Sequence, residues 1–349
     1  MSEAGWQPAR ARKPSIPLTV LLGALGAGKT TLLNRLLRDP AFADTAVIVN
    51  ETGAVALDQA TATEAGDGIV ELGAGCVCCT LRGELVEALE RLLRGLDNHR
   101  IARIARIVIE AAGSADPAPI FAVLTRHPYL SLRLHLDGIV TIIDATAPPA
   151  TGVATRQVAS ADRIVLSKAD GAPDKEALRA RIAAANPGAA ILDASRGEAD
   201  GAALTGLSPF ADAERWLAFD AVAAASAPDR FAIAREAAFT RGALEAFLDE
   251  AAARFGPALV RLKGIVITAE TPDRPAIVQG FGDVIALPVP LPAWPGAGRR
   301  TRLVVTGDGL DGRAFTGLFD AYAGALAVDT PDRAAMMDNP LAIAGFRPR

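Results

Sequence analysis

Cysteine and histidine are both scarce in this 349-residue sequence, with three of each. The cysteines all lie within positions 76–79, so they cannot form the disulfide framework of a small secreted domain, and they suit a reducing cytoplasm. The histidines, His99, His127 and His135, are scattered, and we expect each to be a surface or packing residue rather than a metal ligand.

A strong excess of charge and a long apolar run are also lacking. Charged residues make up 22% of the chain and the net charge is −4, which argues against a general nucleic-acid-binding protein. No apolar run approaches the roughly 20 residues that a membrane-spanning helix needs. Residues 1–15 are polar and basic without an apolar core, so we predict a disordered lead-in and a cytoplasmic protein with no membrane or nucleic-acid partner.

Hydrophobic residues are abundant: they make up 50% of the sequence, and its length suffices for about two domains. In residues 16–199, short apolar runs alternate with helical patterns, which predicts an α/β fold with a parallel sheet covered by helices on both faces. The predicted strands are 17–22, 46–50, 68–72, 106–110, 138–144, 163–167 and 189–192, and the predicted helices are 31–38, a segment from 80 onwards, and 174–185.

The pattern changes in the second half of the chain. Residues 200–229 are rich in Ala, Gly, Ser and Pro, which predicts a linker. Residues 230–327 contain consecutive strand patterns and two segregated helices, near 241–255 and 312–325, which predict a small α+β domain. Residues 328–349 have no clear period and are interpreted as a tail.

The first half is organised around GALGAGKTT at 23–31, which fits the phosphate-binding template G-x-x-x-x-G-K-[ST]. A predicted strand precedes this segment and a predicted helix follows it, which is the context that a phosphate-binding loop (P-loop) requires. The alternative is a glycine-rich turn that binds nothing. The predicted nucleotide-binding residues here are Gly23, Gly26, Ala27, Gly28, Lys29, Thr30 and Thr31.

The chemistry of such a loop is specific. Its glycines allow backbone conformations that a Cβ atom would block, so that the loop N–H groups converge on phosphate oxygens at a helix N-terminus. Lys29, which we expect on the protein surface, would reach the β- and γ-phosphates, and the Thr30 hydroxyl would hold Mg²⁺.

Two further residues match a GTPase. Glu110 ends a predicted strand, where a carboxylate meets Mg²⁺ directly or through water, and the backbone N–H of Gly113 can sense the γ-phosphate. The alternative for Glu110 is a strand-end carboxylate that faces solvent. The predicted catalytic group is therefore Lys29, Thr30, Glu110 and Gly113.

The segment SKAD at 167–170 follows a predicted strand and predicts guanine recognition. The Asp170 carboxylate can accept two hydrogen bonds, from N1–H and the 2-amino group of guanine, and adenine offers no such pair. The Lys168 stem can lie across the base plane. Ser167 stands where Asn is usual, so the side chain is shorter and we expect weaker affinity for the base.

Cys76, Cys78 and Cys79 lie just before Thr80, which is interpreted as a helix N-cap. A helix N-terminus lowers the pKa of a thiol and favours the thiolate, the form that binds Zn²⁺ and similar ions. Buried structural cysteines and a redox pair are the alternatives. Three cysteines do not fill a tetrahedral site, so a carboxylate, a nucleotide or water would supply the fourth ligand.

Together these segments resemble the CobW family of metal-handling P-loop GTPases, which are relatives of the HypB and UreG nickel-insertion GTPases. Nearly the whole chain is covered by the resemblance. In the first half it rests on the P-loop segment and on VNETG (49–53), GCVCCTLRGEL (75–85), IEAAGSADPAPI (109–120), VTIIDA (140–145) and ADRIVLSKAD (161–170). In the second half it rests on VRLKGIVIT (260–268) and WPGAGRRTRLVVTGDGLD (294–311).

The resemblance implies a SIMIBI-class GTPase domain followed by a small C-terminal α+β domain. It also implies Mg²⁺-GTP binding, slow hydrolysis, and binding of Zn²⁺ or Co²⁺ at the thiols of Cys76, Cys78 and Cys79. By the same resemblance, Glu51 is an acidic switch residue linked to the metal site, and the metal is delivered to a client metalloprotein. The sequence leaves a homo-oligomer open.

Three features depart from the family pattern. Thr52 and Ala54 interrupt the usual N-E-F-G-E, so one carboxylate is missing. Ala111 and Ala112 take the place of residues that carry hydroxyl groups, and the histidine-rich linker of some members is absent. These departures concern the identity of the metal and the control of hydrolysis rather than nucleotide binding.

The leading hypothesis is a cytosolic GTPase metallochaperone, serving zinc homeostasis or cobalamin-type cofactor biosynthesis. GTP and metal would bind cooperatively, and hydrolysis would loosen the switch segments and release the metal. One alternative is a regulatory module that binds metal and nucleotide with negligible turnover. A P-loop small-molecule kinase is the other, and the SKAD segment and the cysteine cluster argue against it.

Overall fold

The computed structural model describes residues 15–49, 69–71, 80–148, 152–207, 229–295 and 298–324. They form two sheets, one parallel and one antiparallel, each with its own helices. The predicted tail, the predicted lead-in apart from Ser15, and most of the predicted linker lie outside the described residues, so the domain boundaries stay predictions. Within the described part of the chain, no helix combines the length and the apolar character needed to cross a bilayer.

The first sheet is entirely parallel, as predicted. Its strands are β1 (Ile16–Leu22), β2 (Thr45–Val49), β3 (Ile69–Glu71), β4 (Arg106–Glu110), β5 (Leu134–Asp144), β6 (Arg163–Ser167) and β7 (Ala190–Asp193). Their spatial order is β3-β2-β4-β1-β5-β6-β7, so β1 lies at the centre between β4 and β5. The central strands are buried on both faces, which explains their continuous apolar runs. β5 is longer than predicted, because it begins at Leu134.

Helices cover both faces of this sheet, as predicted. They are α1 (Lys29–Leu36), α2 (Thr80–Asp97), α3 (Pro117–Arg126), α4 (Leu130–Arg133), α5 (Val153–Ser160) and α6 (Lys175–Ala185). α1 packs on one face through Leu32, Leu33 and Leu36, and α2 and α3 pack on the other. Leu204 and Leu207 join the cluster beneath α1, so the described beginning of the predicted linker packs on the first sheet.

The sequence patterns do not predict α3, α4 and α5, and two physical reasons account for this. α3 is buried around most of its circumference, so its sequence PAPIFAVLTR carries no clear apolar stripe, and only its Asp116 cap and Pro117 mark its start. α4 contains only four residues, and the buried residues of α5 are Gln157, Val158, Ala159 and Ser160, so neither helix carries an apolar stripe of helical period.

The second sheet confirms the predicted α+β unit. Its strands are β8 (Asp229–Arg235), β9 (Leu259–Val266), β10 (Ala276–Phe281), β11 (Val284–Ile285), β12 (Val289–Pro290) and β13 (Thr301–Gly307). They pair antiparallel in the order β11-β10-β9-β13-β8, with β12 also on β10. Two helices, α7 (Arg241–Phe255) and α8 (Gly312–Tyr322), pack on one face through the aromatic cluster Phe239, Phe247, Phe315 and Phe319.

A shared apolar cluster joins the two sheets. Phe121 of α3 meets Phe281 of β10 edge-on, with ring centroids 5.0 Å apart. Phe281 and Val284 belong to the same buried cluster as the strands and helices of the first sheet. The apolar core is therefore continuous across the junction.

A buried ion pair also spans the junction. The Asp162 carboxylate, in the residue before β6, accepts a 2.7 Å hydrogen bond from Arg261 Nη2 and another from Lys263 Nζ, both on β9. Burial opposes ionisation of Asp162, but Arg261, Lys263 and the N–H of Ile139 outweigh it and lower the pKa of Asp162 to about 2. Asp162 thus stays ionised between the two sheets.

Candidate nucleotide-binding site

The carboxyl ends of the central strands bring the predicted nucleotide-site residues together at one edge of the first sheet. The P-loop follows β1, and Glu110 ends β4 in register with Leu21 of β1. Asp144 ends β5 in register with Ser167, the last residue of β6. Ligands of open α/β sheets bind at this edge.

The P-loop has the backbone of a phosphate cradle. Gly23 has φ 143°, and a Cβ atom there would lie 2.3 Å from the carbonyl oxygen of Ile142, so no other residue fits. Gly28 has φ 95° and caps the N-terminus of α1. Ala27 is buried beneath the loop, and Thr31 is exposed in the first turn of α1. The loop therefore leads directly into the N-terminus of α1, where backbone N–H groups favour an anion.

Lys29 is buried, and the expectation that it lies on the surface is wrong. It is 3% exposed, and its Nζ donates hydrogen bonds to the carbonyl oxygens of Gly23 at 3.0 Å and Ala24 at 3.2 Å. Because the loop wraps around the lysine side chain, the ammonium group is held by the carbonyls of the loop itself. Phosphate oxygens at the loop would compete for the same three donors.

Thr30 and Glu110 are in direct contact. The Thr30 hydroxyl donates a 2.6 Å hydrogen bond to Glu110 Oε1, and Glu110 is 1% exposed. The alternative of a solvent-facing strand-end carboxylate is therefore wrong. A hydroxyl and a carboxylate beside a phosphate cradle form the oxygen donor set that suits Mg²⁺ with its phosphate and water ligands.

The loop after β4 lies against the P-loop. A Cβ atom on Gly113 would come within 2.7 Å of the backbone nitrogen of Leu25, so the two backbones approach more closely than any larger residue would allow. Ala111 and Ala112 are buried, and the N–H of Ala111 bonds to the Leu21 carbonyl at 3.0 Å. The β4 loop and the P-loop therefore form one packed unit.

The SKAD segment also contacts the P-loop. Ser167 Oγ donates a 2.6 Å hydrogen bond to the carbonyl oxygen of Ala27. Lys168 Nζ donates to the carbonyl oxygen of Gly26 at 3.0 Å, while its backbone adopts the left-handed φ of 54°. Asp170 is exposed in the short turn that follows.

Asp144 is a site residue that the sequence does not predict as such. Its Oδ2 accepts a 2.5 Å hydrogen bond from Lys168 Nζ. Burial raises the pKa of this carboxyl, but hydrogen bonds from Lys168 and Thr146 prevail and lower the pKa of Asp144 to about 2. Asp144 therefore keeps the Lys168 ammonium directed at the P-loop.

The predicted transferred-metal ligands Cys76, Cys78, Cys79 and Glu51 lie outside the described residues. α2 begins at Thr80, directly after the cysteine cluster in the chain. Within the described ranges, no three His, Cys, Asp or Glu side chains group closely enough to hold a metal ion. The predicted cysteine site thus stays a prediction.

Two protein-family models match the chain, one over the parallel sheet and one over the antiparallel sheet. The CobW/HypB/UreG nucleotide-binding domain matches residues 17–193, and the C-terminal domain of the cobalamin synthesis protein CobW matches residues 229–323.

Two characterised relatives share part of the sequence. The zinc chaperone YjiA of Escherichia coli (strain K12) is 39% identical over 189 residues, which are 53% of this chain and 59% of YjiA. The zinc-regulated GTPase metalloprotein activator 1 of Schizosaccharomyces pombe is 33% identical over 166 residues, 44% of this chain and 39% of the activator. The matches thus span between 39% and 59% of the length of these relatives.

Solved structures share the architecture over most of this chain. A zinc-bound triple mutant of the YjiA GTPase superposes with a TM-score of 0.64 at 25% identity, covering 89% of this chain and 100% of that one. The zinc-bound YjiA GTPase from E. coli gives a TM-score of 0.61 at 24% identity, covering 89% and 99%. The predicted fold, a P-loop parallel sheet with a smaller α+β unit, is confirmed.

Proposed function

Because this chain belongs to the CobW/HypB/UreG family, we propose that it binds and hydrolyses GTP and uses the cycle to deliver a metal ion to a client metalloprotein. The observation that carries the proposal is the 2.6 Å hydrogen bond between the Thr30 hydroxyl and the Glu110 carboxylate beside the P-loop. It joins the two side chains that a phosphate-bound Mg²⁺ would need on the protein.

In the proposed reaction, the P-loop N–H groups and Lys29 bind the phosphates and stabilise charge that builds up on the transferring phosphoryl group. Thr30 and Glu110 would hold Mg²⁺, which would supply positive charge beside the phosphate oxygens. The N–H of Gly113 meets the γ-phosphate. Lys168, directed by Asp144, covers the base, and Asp170 accepts the guanine hydrogen bonds.

The metal is the cargo of the cycle rather than a fixed part of the protein. We assign it to the thiolates of Cys76, Cys78 and Cys79, with Glu51 as the acidic residue that links it to the nucleotide. The names of the zinc chaperone and the zinc-regulated activator support Zn²⁺ as the cargo. The family name of the C-terminal domain supports the alternative, Co²⁺ in cobalamin-type cofactor biosynthesis.

A second candidate is a regulatory module with negligible turnover. Ala111 and Ala112, 1% and 2% exposed, fill positions beside the P-loop with methyl groups that cannot hydrogen-bond to water or phosphate. Turnover of GTP without an added acceptor separates the GTPase from this module and from a small-molecule kinase.

Cobalt binding tests the metal part of the proposal directly. The reduced protein, loaded with Mg²⁺ and a non-hydrolysable GTP analogue, is titrated with Co²⁺ and followed by its thiolate-to-cobalt charge-transfer band in the near ultraviolet. We expect about one Co²⁺ per chain and visible bands of tetrahedral intensity. Cys78→Ser and Cys79→Ser should abolish the band, since a serine hydroxyl does not ionise near neutral pH.

The nucleotide dependence of this binding tests the cycle. Affinity for Co²⁺ should be higher with the GTP analogue than with GDP, and Co²⁺ should raise GTP affinity by the same factor. Affinity should also fall as the pH drops, because protons compete for the thiolates. Equal Co²⁺ affinity in the apo, GDP and GTP-analogue forms would contradict the delivery cycle and favour the regulatory module.

A further inference from the structure

Gln157 lies in α5, outside the predicted nucleotide-site residues, yet it bonds to the loop beside the P-loop. It is 1% exposed, and its side-chain nitrogen donates hydrogen bonds to the carbonyl oxygens of Gly113 at 3.2 Å and Ala115 at 2.9 Å. Both partners are acceptors, so the two N–H groups of one amide are committed to one loop. That loop carries the N–H proposed to meet the γ-phosphate.

Gln157 is itself anchored to the centre of the first sheet. Thr141 of β5, 2% exposed, donates a 2.9 Å hydrogen bond from its hydroxyl to the backbone carbonyl of Gln157. The amide therefore projects from a point of α5 whose backbone is bonded to a buried strand. Its two hydrogen bonds tie the carbonyl groups of Gly113 and Ala115 to that point.

Packing between α5 and the P-loop is incomplete. A cavity of about 70 Å³ lies between the P-loop, β5 and α5, and its walls include Gly23, Leu25 and Gln157. A gap of this size removes van der Waals partners that would otherwise hold the facing segments in place. The loop after β4 is linked to α5 by the two hydrogen bonds of Gln157 and by an ion pair between Arg156 and Asp116 at 3.8 Å, and of these only the Gln157 bonds reach Gly113 itself.

We infer that Gln157 is a positioning residue for GTP hydrolysis, which holds Gly113 by its carbonyl group so that the N–H of the same residue meets the γ-phosphate. The inference rests on the proposed GTPase function. Gln157 acts through Gly113 rather than on the nucleotide itself. Its loss should therefore affect GTP, which has a γ-phosphate, and spare GDP, which does not.

The test uses the full chain with Gln157→Met, which keeps the length of the side chain and removes both N–H groups. Single-turnover hydrolysis should slow by about 10- to 100-fold, the range expected when a reacting group is misplaced by about 1 Å. The ratio of GDP to GTP dissociation constants should also fall, while GDP affinity stays at the wild-type value. A general loss of structure would weaken both nucleotides together.

Asn186, the residue after α6, provides a matched control because its amide also bonds to backbone carbonyls at the C-terminal end of α5 but not to the Gly113 loop. It is 4% exposed, and its amide nitrogen donates to the carbonyl oxygens of Val158 at 2.7 Å and Ala161 at 2.9 Å. Asn186→Leu should lower the melting temperature. Below that temperature it should leave the hydrolysis rate and the ratio of GDP to GTP dissociation constants unchanged. Gln157→Leu, which also lacks the N–H groups, carries the test if methionine does not fit.

The possible outcomes distinguish failure of the proposed GTPase function from failure of the role assigned to Gln157. Absence of GTP turnover in the wild-type protein would defeat the proposed function. The role of Gln157 alone would be overturned if the wild type hydrolyses GTP and a folded Gln157 variant keeps the wild-type hydrolysis rate and the wild-type ratio of GDP to GTP dissociation constants. Failure of both Gln157 variants to fold would assign this side chain to general stability and would equally overturn the inference.

Discussion

The Thr30 hydroxyl donates a 2.6 Å hydrogen bond to the Glu110 carboxylate, although eighty residues of chain separate the two. Strand order explains the contact, because β4 lies next to β1 and both carboxyl ends reach the same edge. The pair forms the protein side of the proposed Mg²⁺ site.

Glu110→Gln should raise the Mg²⁺ concentration needed for half-maximal turnover by about 10- to 100-fold, because a neutral amide oxygen binds the ion less well than a carboxylate. Loss of a residue that supports a metal site typically lowers metal affinity by this factor. Turnover against MgCl₂ concentration measures it. Glu90→Gln is the control, because Glu90 forms an exposed pair with Arg94 on α2 and such pairs contribute little. Identical Mg²⁺ curves for the two variants would contradict the role of Glu110.

Lys29→Ala should reduce GTP turnover strongly, because the ammonium stabilises charge on the transferring phosphoryl group. Removal of its two hydrogen bonds to loop carbonyls should cost only about 1–2 kcal/mol of unfolding free energy. Steady-state kinetics and urea unfolding report the two effects separately. Unchanged turnover at saturating GTP would show that another site does the chemistry.

Asp170→Asn should shift base preference from GTP towards xanthosine triphosphate. The asparagine amide offers an N–H donor in place of one carboxylate oxygen, and xanthine offers a 2-oxo acceptor in place of the 2-amino group of guanine. The two hydrogen bonds are worth about 1–3 kcal/mol by analogy with base-edge contacts. Competition titrations measure the change. Asp174→Asn nearby serves as a control, because Asp174 caps α6 and asparagine caps equally well. Equal affinity of the wild type for ATP and GTP would defeat the assignment of SKAD.

Gly113→Ala should slow hydrolysis by more than about tenfold, because its methyl group would lie 2.7 Å from the Leu25 nitrogen and push the loop off the P-loop. Gly317→Ala in α8 is the control. A Cβ atom there meets nothing within 4 Å, and alanine in a helix should stabilise the protein by about 0.5–1 kcal/mol. Equal hydrolysis rates in the two variants would contradict the close approach of the two loops.

Asp162→Asn should destabilise the protein at pH 7 by about 3–5 kcal/mol, because Arg261 and Lys263 lose their buried partner. The folded pKa of about 2 lies below the ordinary 3.8, so the stabilisation is fully present above pH 4 and is lost as the pH falls through 2. Denaturant unfolding from pH 7 to pH 2 should therefore show that the difference in unfolding free energy between wild type and variant becomes smaller as the pH falls. A constant difference would show that ionisation of Asp162 is not involved.

Much of the candidate nucleotide-binding site at the carboxyl edge of the first sheet could be predicted, because motif spacing and strand endings are local features of the chain. Glu110 and Ser167 each end a strand at the predicted residue, and a parallel sheet then brings them together. Wherever residues a few positions apart determine the structure, the pattern is visible in the sequence.

Side-chain directions and short helices could not be predicted in this way. Asp144 acts through Lys168, twenty-four residues later, and nothing in the spacing shows that the lysine turns back towards the P-loop. Burial of Lys29 depends on how the loop wraps in three dimensions. Gln157 lies in a helix whose buried residues include only one large apolar side chain, Val158, so the sequence shows no apolar period there and the contact with Gly113 emerges only from the fold.

The contact between Phe121 and Phe281 limits how this chain can be divided. Both rings are at most 2% exposed, and they belong to one apolar cluster that draws on both sheets. A fragment that stops at residue 207 would expose Phe121 to water and leave Asp162 without its cations. Such a fragment would be prone to aggregate, so the P-loop sheet should be produced and crystallised together with the antiparallel sheet, and the two should melt in one calorimetric transition.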